Sequence, residues 1–317
     1  MNITVLDAAT FGDDLDLSPL DTFGAVTVYR TTLPEQVAER LENADVAVIN
    51  KVKITEEVAK AARHLKLICI MATGYDNVDL DACRACGIGV CNVAGYSTHS
   101  VSQLTVTMAL SLYTHLPEYA EHTKSGAYTH GGVQNCLVPV YHEMRGKTWG
   151  IIGYGNIGAQ VARVAEALGA RILIYRKHET GDAREVSLDT LLCESDMISL
   201  HVPLNDETRG MIGKAQIERM KDGVMLLNVA RGAVLDERAI ADAVLSGKIG
   251  FFGCDVYSVE PYGENHPYTE IATLPQVCLT PHMAWGAKEA RTLCLDECCE
   301  NIRSYLAGGT RSRVDLL

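Results

Sequence analysis

Three segments in the second half of the chain end an apolar run on an ionisable side chain. Residues 225–229 lead to Arg231-Gly232, residues 251–254 to Asp255 and then Glu260-Pro261, and residues 277–280 to Pro281-His282. Singly, each has a plain structural reading: a lone His is commonly a satisfied structural residue, and Glu-Pro commonly makes a turn. Together they supply the parts needed to handle a carbonyl that sits beside a carboxylate. A guanidinium grips a carboxylate through paired hydrogen bonds and polarises a neighbouring oxygen. An imidazole gives or takes a proton near neutrality. A carboxylate next to it favours imidazolium and fixes which ring nitrogen carries hydrogen.

A second signal is Gly153-Tyr154-Gly155-Asn156-Ile157-Gly158, a G-x-G-x-x-G pattern. It follows an apolar strand pattern at 148–152 and precedes a helical pattern at 159–168 closed by Gly169. In that setting the first Gly allows a tight turn, the second lets backbone approach a pyrophosphate, and the third lets helix and strand pack closely. The helix N-terminus points free N–H groups at the anion. This is the pattern of a dinucleotide-binding Rossmann unit. An acid some 20 residues on normally accepts hydrogen bonds from the NAD ribose. Here the next strand ends Tyr175-Arg176-Lys177, and two cations suit a 2′-phosphate. NADP(H) is therefore the expected cofactor, with NAD(H) open because Glu179 or Asp182 could fold back toward the ribose.

These residues need a scaffold of strands whose tips share a rim. Short apolar runs alternate with helical patterns almost throughout, the signature of an α/β protein with mostly parallel sheets. Strands are expected at 3–7, 25–29, 46–50, 66–71 and 89–92, with helices at 34–43, 56–63 and 80–86. Asp79 is placed to cap the last of these. A long helix is expected at 100–115, followed by an irregular stretch at 121–142. Further strands are expected at 148–152, 171–175, 197–201, 224–229, 250–254 and 277–280, and a final helix at about 288–306. Two sheets joined by long helices suggest two domains facing each other across a cleft.

With 317 residues, the chain is long enough for about two domains. Its 28 basic and 40 acidic residues leave a net charge of −12. That balance argues against nucleic acid or an anionic membrane as partner. No apolar run approaches bilayer length, and the N-terminus does not read as a secretory signal, so a cytoplasmic protein is expected. The 11 cysteines, including the Cys83–Cys86 pair and the group Cys294, Cys298 and Cys299, then read as reduced, packed thiols. Neither group forms a four-ligand zinc pattern, and no metal is expected.

The motifs occur in a recognisable order. They are Ala72-Thr73-Gly74-Tyr75-Asp76-Asn77-Val78-Asp79, the Gly153 loop, Asn228-Val229-Ala230-Arg231-Gly232, Asp255-Val256-Tyr257-Ser258-Val259-Glu260-Pro261 and Thr280-Pro281-His282-Met283-Ala284-Trp285. Over essentially its whole length the chain resembles the D-isomer-specific 2-hydroxyacid dehydrogenase family.

The resemblance implies two Rossmann-like domains: a discontinuous flavodoxin-like substrate domain (1–98 and 286–317) and a dinucleotide-binding domain (99–285). It implies Arg231 as substrate binder and carbonyl polariser, His282 as general acid/base and Glu260 as its partner. Asp255 would meet the nicotinamide carboxamide. His201, Val202, Pro203, Val229 and Ala230 would line the cofactor, with Arg231 and His282 beside it. Ala72, Thr73 and Gly74 would offer backbone N–H groups to the substrate carboxylate, with Trp285 also at the substrate. The family usually forms homodimers, and residues 101–112 with the 121–142 arm would supply the interface.

The implied reaction is reduction of a small, non-phosphorylated 2-keto acid. Glu260 stands where formate-oxidising relatives carry Gln, Thr73 where phosphite-oxidising ones carry Lys, and Ile70 cannot pair with phosphate. The substrate expected is hydroxypyruvate or glyoxylate, with a D-lactate or branched D-2-hydroxyacid activity as the alternative. A dinucleotide-sensing corepressor is the remote one.

Overall fold

A computed structural model describes residues 1–178 and 180–317; Glu179 lies outside the described residues. The chain divides into two compact units, one formed by Met1–Ser97 with Trp285–Leu317, the other by Thr98–Ala284.

The first unit carries a five-stranded parallel sheet of β1 (Asn2–Val5), β2 (Ala25–Val28), β3 (Val46–Ile49), β4 (Leu67–Ile70) and β5 (Gly89–Cys91), in the order β2-β1-β3-β4-β5. The flavodoxin-like order is the same. The apolar runs suit strands covered on both faces, and successive side chains go to opposite layers. Ala47 and Ile49 pack with the helices Val37–Leu41, Glu56–Ala61 and Leu80–Ala85. Val46 and Val48 pack with Cys294, Leu295, Cys298 and Ile302 of the helix Lys288–Leu306. Asp79 caps its helix, accepting from Ala82 N at 2.9 Å. Cys83, Cys294, Cys298 and Cys299 are buried, and Cys86 is exposed. Burial pushes the Cys83 and Cys299 thiols up to about 12, which leaves them unreactive as nucleophiles.

The second unit holds six parallel strands: β6 (Thr148–Ile152), β7 (Arg171–Tyr175), β8 (Met197–Leu200), β9 (Val224–Asn228), β10 (Ile249–Cys254) and β11 (Val277–Leu279), in the order β11-β10-β9-β8-β6-β7. The chain leaves β6 toward β7 on one side and returns to β8 on the other. The tip of β6 is therefore the topological switch point, where open α/β sheets bind ligands.

Three local expectations change. The 121–142 stretch is not irregular throughout: helices span Leu116–Lys124 and Ala127–His130. Pro117 sits in the first turn of the former, where its missing N–H costs nothing. The helix after the Gly-rich loop begins at Asn156, with Gly155 as its N-cap, since Gly158 can lie inside a helix when packing demands it. Trp285 belongs to the first unit rather than to the 99–285 domain; its ring meets Tyr96 edge-on at 6.3 Å and packs on that unit's core.

Candidate active site

The register of the second sheet places the ionisable residues on one rim. Ile152 pairs with Leu200, Leu200 with Asn228, Asn228 with Cys254 and Cys254 with Leu279. The strands end level, so Gly153, His201, Val229, Asp255 and Thr280 all follow at the carboxyl edge.

His282 Nδ1 lies 2.6 Å from Glu260 Oε2. An ionised carboxylate only accepts, so Nδ1 donates, leaving Nε2 as the atom that can exchange a proton. Both side chains are partly exposed. The His282 backbone has φ of 53°, a left-handed conformation that costs a non-glycine residue on the order of 1–2 kcal/mol. Its surroundings hold it there: His282 N donates to Thr280 O at 3.0 Å, and the flanking turn is anchored on Asp255. Asp255 Oδ1 accepts from Thr280 Oγ1 at 2.5 Å and Met283 N at 2.9 Å, and Oδ2 from Ala284 N at 2.9 Å. Asp255 is fully buried. Burial raises its carboxyl above the usual range, opposed by those three donors and the neighbouring His282.

Arg231 follows β9 in a turn that Asn228 fixes from inside: Asn228 Nδ2 donates to Arg231 O at 2.9 Å, and Ala230 N donates to Asn228 Oδ1 at 3.0 Å. Arg231 Nη1 donates to Ala230 O at 2.8 Å, so the guanidinium is oriented by one of its five donors. Gly232 is required by a close approach: a Cβ there would fall 1.9 Å from Tyr257 C and 2.1 Å from Ser258 N.

The Gly-rich loop forms a cradle. Gly153 has φ of 94°, and a Cβ on it would lie 2.7 Å from His201 O and 2.8 Å from Val202 Cγ1; one on Gly158 would lie 2.2 Å from Gly153 O. At Gly155 a Cβ meets open space, which is where backbone can approach a pyrophosphate above the twelve-residue helix Asn156–Ala167. These residues fit a dinucleotide. His201 closes one side: its Nε2 lies 2.9 Å from Ser199 Oγ, which also accepts from Trp149 Nε1 at 2.9 Å, while its Nδ1 is buried without a partner.

Burial holds the His201 imidazole down at about 3. It stays neutral in the native protein while the unfolded chain takes up a proton below about 6.5. Its contribution to stability is thus complete above that pH and is lost as pH falls toward 3, by up to about 1.4 kcal/mol per pH unit. Urea unfolding of His201→Asn between pH 7 and 4 should show a flatter loss of stability than the parent protein.

At the tip of β7, Arg176 Cζ lies 5.0 Å from the Tyr154 ring centroid. Its Nε approaches Glu185 Oε1 at 3.1 Å but off the N–H direction, so the contact is an ion pair without a hydrogen bond. Glu185 is occupied by Thr180 N, Thr180 Oγ1 and Gly181 N. Lys177 pairs with Glu207 at 2.5 Å. Asp182 is taken by Arg184 through three hydrogen bonds, which hold its carboxyl well below the usual range. Asp182 is therefore committed within its own loop, and the contrary expectation for Glu179 lies outside the described residues.

In the first unit, Ala72, Thr73 and Gly74 follow β4. Thr73 Oγ1 donates to Val93 O at 3.0 Å, and Asn92 Nδ2 donates to Thr73 O at 2.7 Å. The hydroxyl is thus spent on the fold, leaving backbone N–H groups as the polar offering of the loop. Sequence reasoning missed Asn92, and also Asn228 and Gly232 as the supports of Arg231; hydrogen bonds between side chain and distant backbone leave no periodic signal. Among the described residues no group of three or more His, Cys, Asp or Glu is placed to hold a metal ion, and no helix is long and apolar enough to cross a membrane.

Comparison with known proteins adds four observations. Residues 106–284 match the family description "D-isomer specific 2-hydroxyacid dehydrogenase, NAD binding domain". The chain is 38% identical over 287 residues to the glycerate dehydrogenase of Methylorubrum extorquens, covering 90% of each. It is 35% identical to the hydroxypyruvate reductase of Blautia hydrogenotrophica, covering 97% of this chain and 98% of that one. Among solved structures it resembles the D-lactate dehydrogenase of Aquifex aeolicus complexed with NAD and lactic acid, with a TM-score of 0.85 and 29% identity over 98% of this chain and 97% of that chain.

Proposed function

Because the chain belongs to the D-isomer-specific 2-hydroxyacid dehydrogenase family and is an oxidoreductase of CH–OH groups, we propose that it reduces hydroxypyruvate or glyoxylate to the D-2-hydroxy acid. The observation that carries the proposal is the 2.6 Å pairing of His282 with Glu260 on the same strand-tip rim as Arg231. A bound nicotinamide dinucleotide supplies the hydride. Protonated His282 gives the Nε2 proton to the carbonyl oxygen, and Glu260 stabilises the imidazolium before transfer and holds the tautomer afterward. Arg231 grips the carboxylate and polarises the carbonyl. By the family resemblance, the backbone N–H groups of Thr73 and Gly74 would also serve the substrate carboxylate. Asp255 keeps the His282 turn in place, and because its carboxylate is fully buried, the carboxamide contact expected of it would require that turn to shift. Trp285 would lie beside the substrate, and His201, Val202, Pro203, Val229 and Ala230 would line the cofactor.

The test is a panel of hydroxypyruvate, glyoxylate, pyruvate and a branched 2-keto acid, each with NADPH and NADH. A kcat/KM highest for hydroxypyruvate or glyoxylate supports the proposal. Pyruvate or the branched acid leading would assign a D-lactate or branched-acid enzyme instead, and no turnover on any member would sink it.

The cofactor we propose is NADP(H). Its support is Arg176, whose terminal guanidinium nitrogens make no hydrogen bond among the described residues, and the absence of an acid in the strand end Tyr175-Arg176-Lys177. Losing charge-assisted hydrogen bonds to a phosphate costs about 1.5–3 kcal/mol. Arg176→Gln should therefore raise the KM for NADPH by roughly 10–100-fold while leaving that for NADH within about twofold, measured by initial rates with both cofactors.

We also propose a homodimer through the second unit. Val133, Leu137, Val138 and Val140 are each about two-thirds exposed or more, with Tyr141 next in the chain, and so many exposed apolar side chains in one short segment are ordinarily covered by a partner. Light scattering should give twice the chain mass, and Leu137→Glu with Val140→Glu should give the mass of one chain.

A further inference from the structure

Behind the His282–Glu260 pair lies a second imidazole and carboxylate. Glu237 is the first residue of the helix Glu237–Leu245. Its Oε1 accepts from Ser258 N at 2.8 Å, and its Oε2 accepts from Ser258 Oγ at 2.5 Å and His266 Nε2 at 3.0 Å. Tyr268 N donates to His266 Nδ1 at 3.2 Å, so Nε2 carries the ring hydrogen. The two side chains are only 8% and 11% exposed, and the His266 ring packs among Tyr257, Tyr262 and Tyr268. Glu237 is not needed as a helix cap, since Asp236 already accepts from Ala239 N at 3.1 Å. Burying an ionisable pair is a poor way to gain stability when apolar side chains could fill the same space.

What the pair holds is the segment 257–261. Ser258 is gripped through both its backbone and its hydroxyl. Its neighbour Tyr257 donates N–H to Glu260 Oε1 at 2.9 Å and its hydroxyl to Thr280 O at 2.9 Å. The Tyr257–Ser258 peptide is also the backbone that lies against Gly232. A single anchor therefore sets the spacing between the Arg231 turn, the Glu260 carboxylate and the strand end that leads to His282.

Resting on the functional reading above, we propose that Glu237, locked by His266, is a positioning residue of this enzyme: it fixes segment 257–261 so that Glu260 meets His282 Nδ1. Its effect is transmitted through Ser258, which it holds, and Tyr257, which donates to Glu260. A displacement of about 1 Å at a reacting group can cost on the order of 100-fold.

The experiment compares Glu237→Ala, Glu237→Gln, Glu260→Gln and the double variant Glu237→Ala/Glu260→Gln, using hydroxypyruvate and NADPH over pH 5–9. Glu237→Ala should lower kcat by roughly 10–100-fold, leave the KM for NADPH within about twofold, and move the alkaline fall-off of kcat to lower pH, as Glu260→Gln does. Glu237→Gln keeps an acceptor for Ser258 and should recover most of the rate. The double variant should be no more than about twofold slower than Glu260→Gln, because the two act on one route.

A normal rate and pH profile in Glu237→Ala, or a loss that multiplies with that of Glu260→Gln, overturns the proposal. If circular dichroism shows Glu237→Ala to be unfolded, Ser258→Ala takes its place in the same cycle with a loss of about 3–10-fold expected, and the same two outcomes overturn it. Absence of 2-keto acid reduction by the parent protein overturns the functional reading together with this one. A defective Glu260→Gln beside a normal Glu237→Ala overturns this one alone.

Discussion

His282→Ala is expected to lower kcat by roughly 100- to 10,000-fold, the range a positioned general acid contributes, with the dissociation constant for NADPH within about threefold of the parent. In the His282 imidazole Nδ1 is committed to Glu260 at 2.6 Å, which leaves Nε2 as the nitrogen that can carry a proton to substrate, whereas the spare nitrogen of His201 is buried. Position 282 also has a left-handed backbone, with φ of 53°, which Ala tolerates poorly and Asn tolerates well. His282→Asn separates the two effects. Its loss of kcat reports the missing proton, and any further loss in Ala reports the strained turn. Stopped-flow measurement of NADPH oxidation with saturating hydroxypyruvate gives the chemical step, and fluorescence titration gives cofactor binding. A kcat within threefold of the parent in His282→Asn would remove His282 from proton transfer.

Arg231→Gln is expected to lower kcat/KM for a 2-keto acid by about 1,000-fold. Leaving a carboxylate without its charged partner in a protein site costs about 2–5 kcal/mol, and carbonyl polarisation is lost with it. The guanidinium is presented by design of the turn: Asn228 ties the backbone on both sides and Ala230 O takes one Nη1 hydrogen, so the other donors keep a fixed direction. Arg231→Lys should recover less than a tenth of the loss, because an ammonium offers no planar fork. The check is the slow reduction of an aldehyde without a carboxylate: it should fall far less in Arg231→Gln than hydroxypyruvate reduction does. Equal losses on both substrates would limit Arg231 to the carbonyl.

The alternation of short apolar runs with helical patterns was enough to read both parallel sheets, because strands covered on two faces are apolar throughout and bounded by turn residues. The ends of β7 and of the helix Lys288–Leu306 were legible to the residue. The 116–130 stretch was not, since Pro117 reads equally as a stop or a start and only the packing decides. Arg231 and His282 were legible as candidates because each lies three residues beyond a strand end, and Glu260, six residues beyond its own, through its place in the motif that begins at Asp255. Glu237 and His266 gave no such signal; an acid at a helix start is an ordinary dipole partner, and only the fold brings Ser258 onto it. Arg176 was visible as a cation at a strand end, but its pairing with Glu185 depends on a loop whose path sequence does not encode by period.

The arrangement of the two units in the chain has a consequence for biosynthesis. Thr98–Ala284 is an uninterrupted stretch and can close its core as soon as it has left the ribosome. The unit that begins with Met1 cannot: one face of its sheet is covered by Cys294, Leu295, Cys298 and Ile302, Asn301 Nδ2 reaches Asn92 O, and Asp315 accepts from Val90 N. Residues 1–97 must therefore hold an uncovered apolar sheet face until residues 285–317 arrive, and it is this unit, not the uninterrupted one, that a nascent-chain chaperone would be needed to shield.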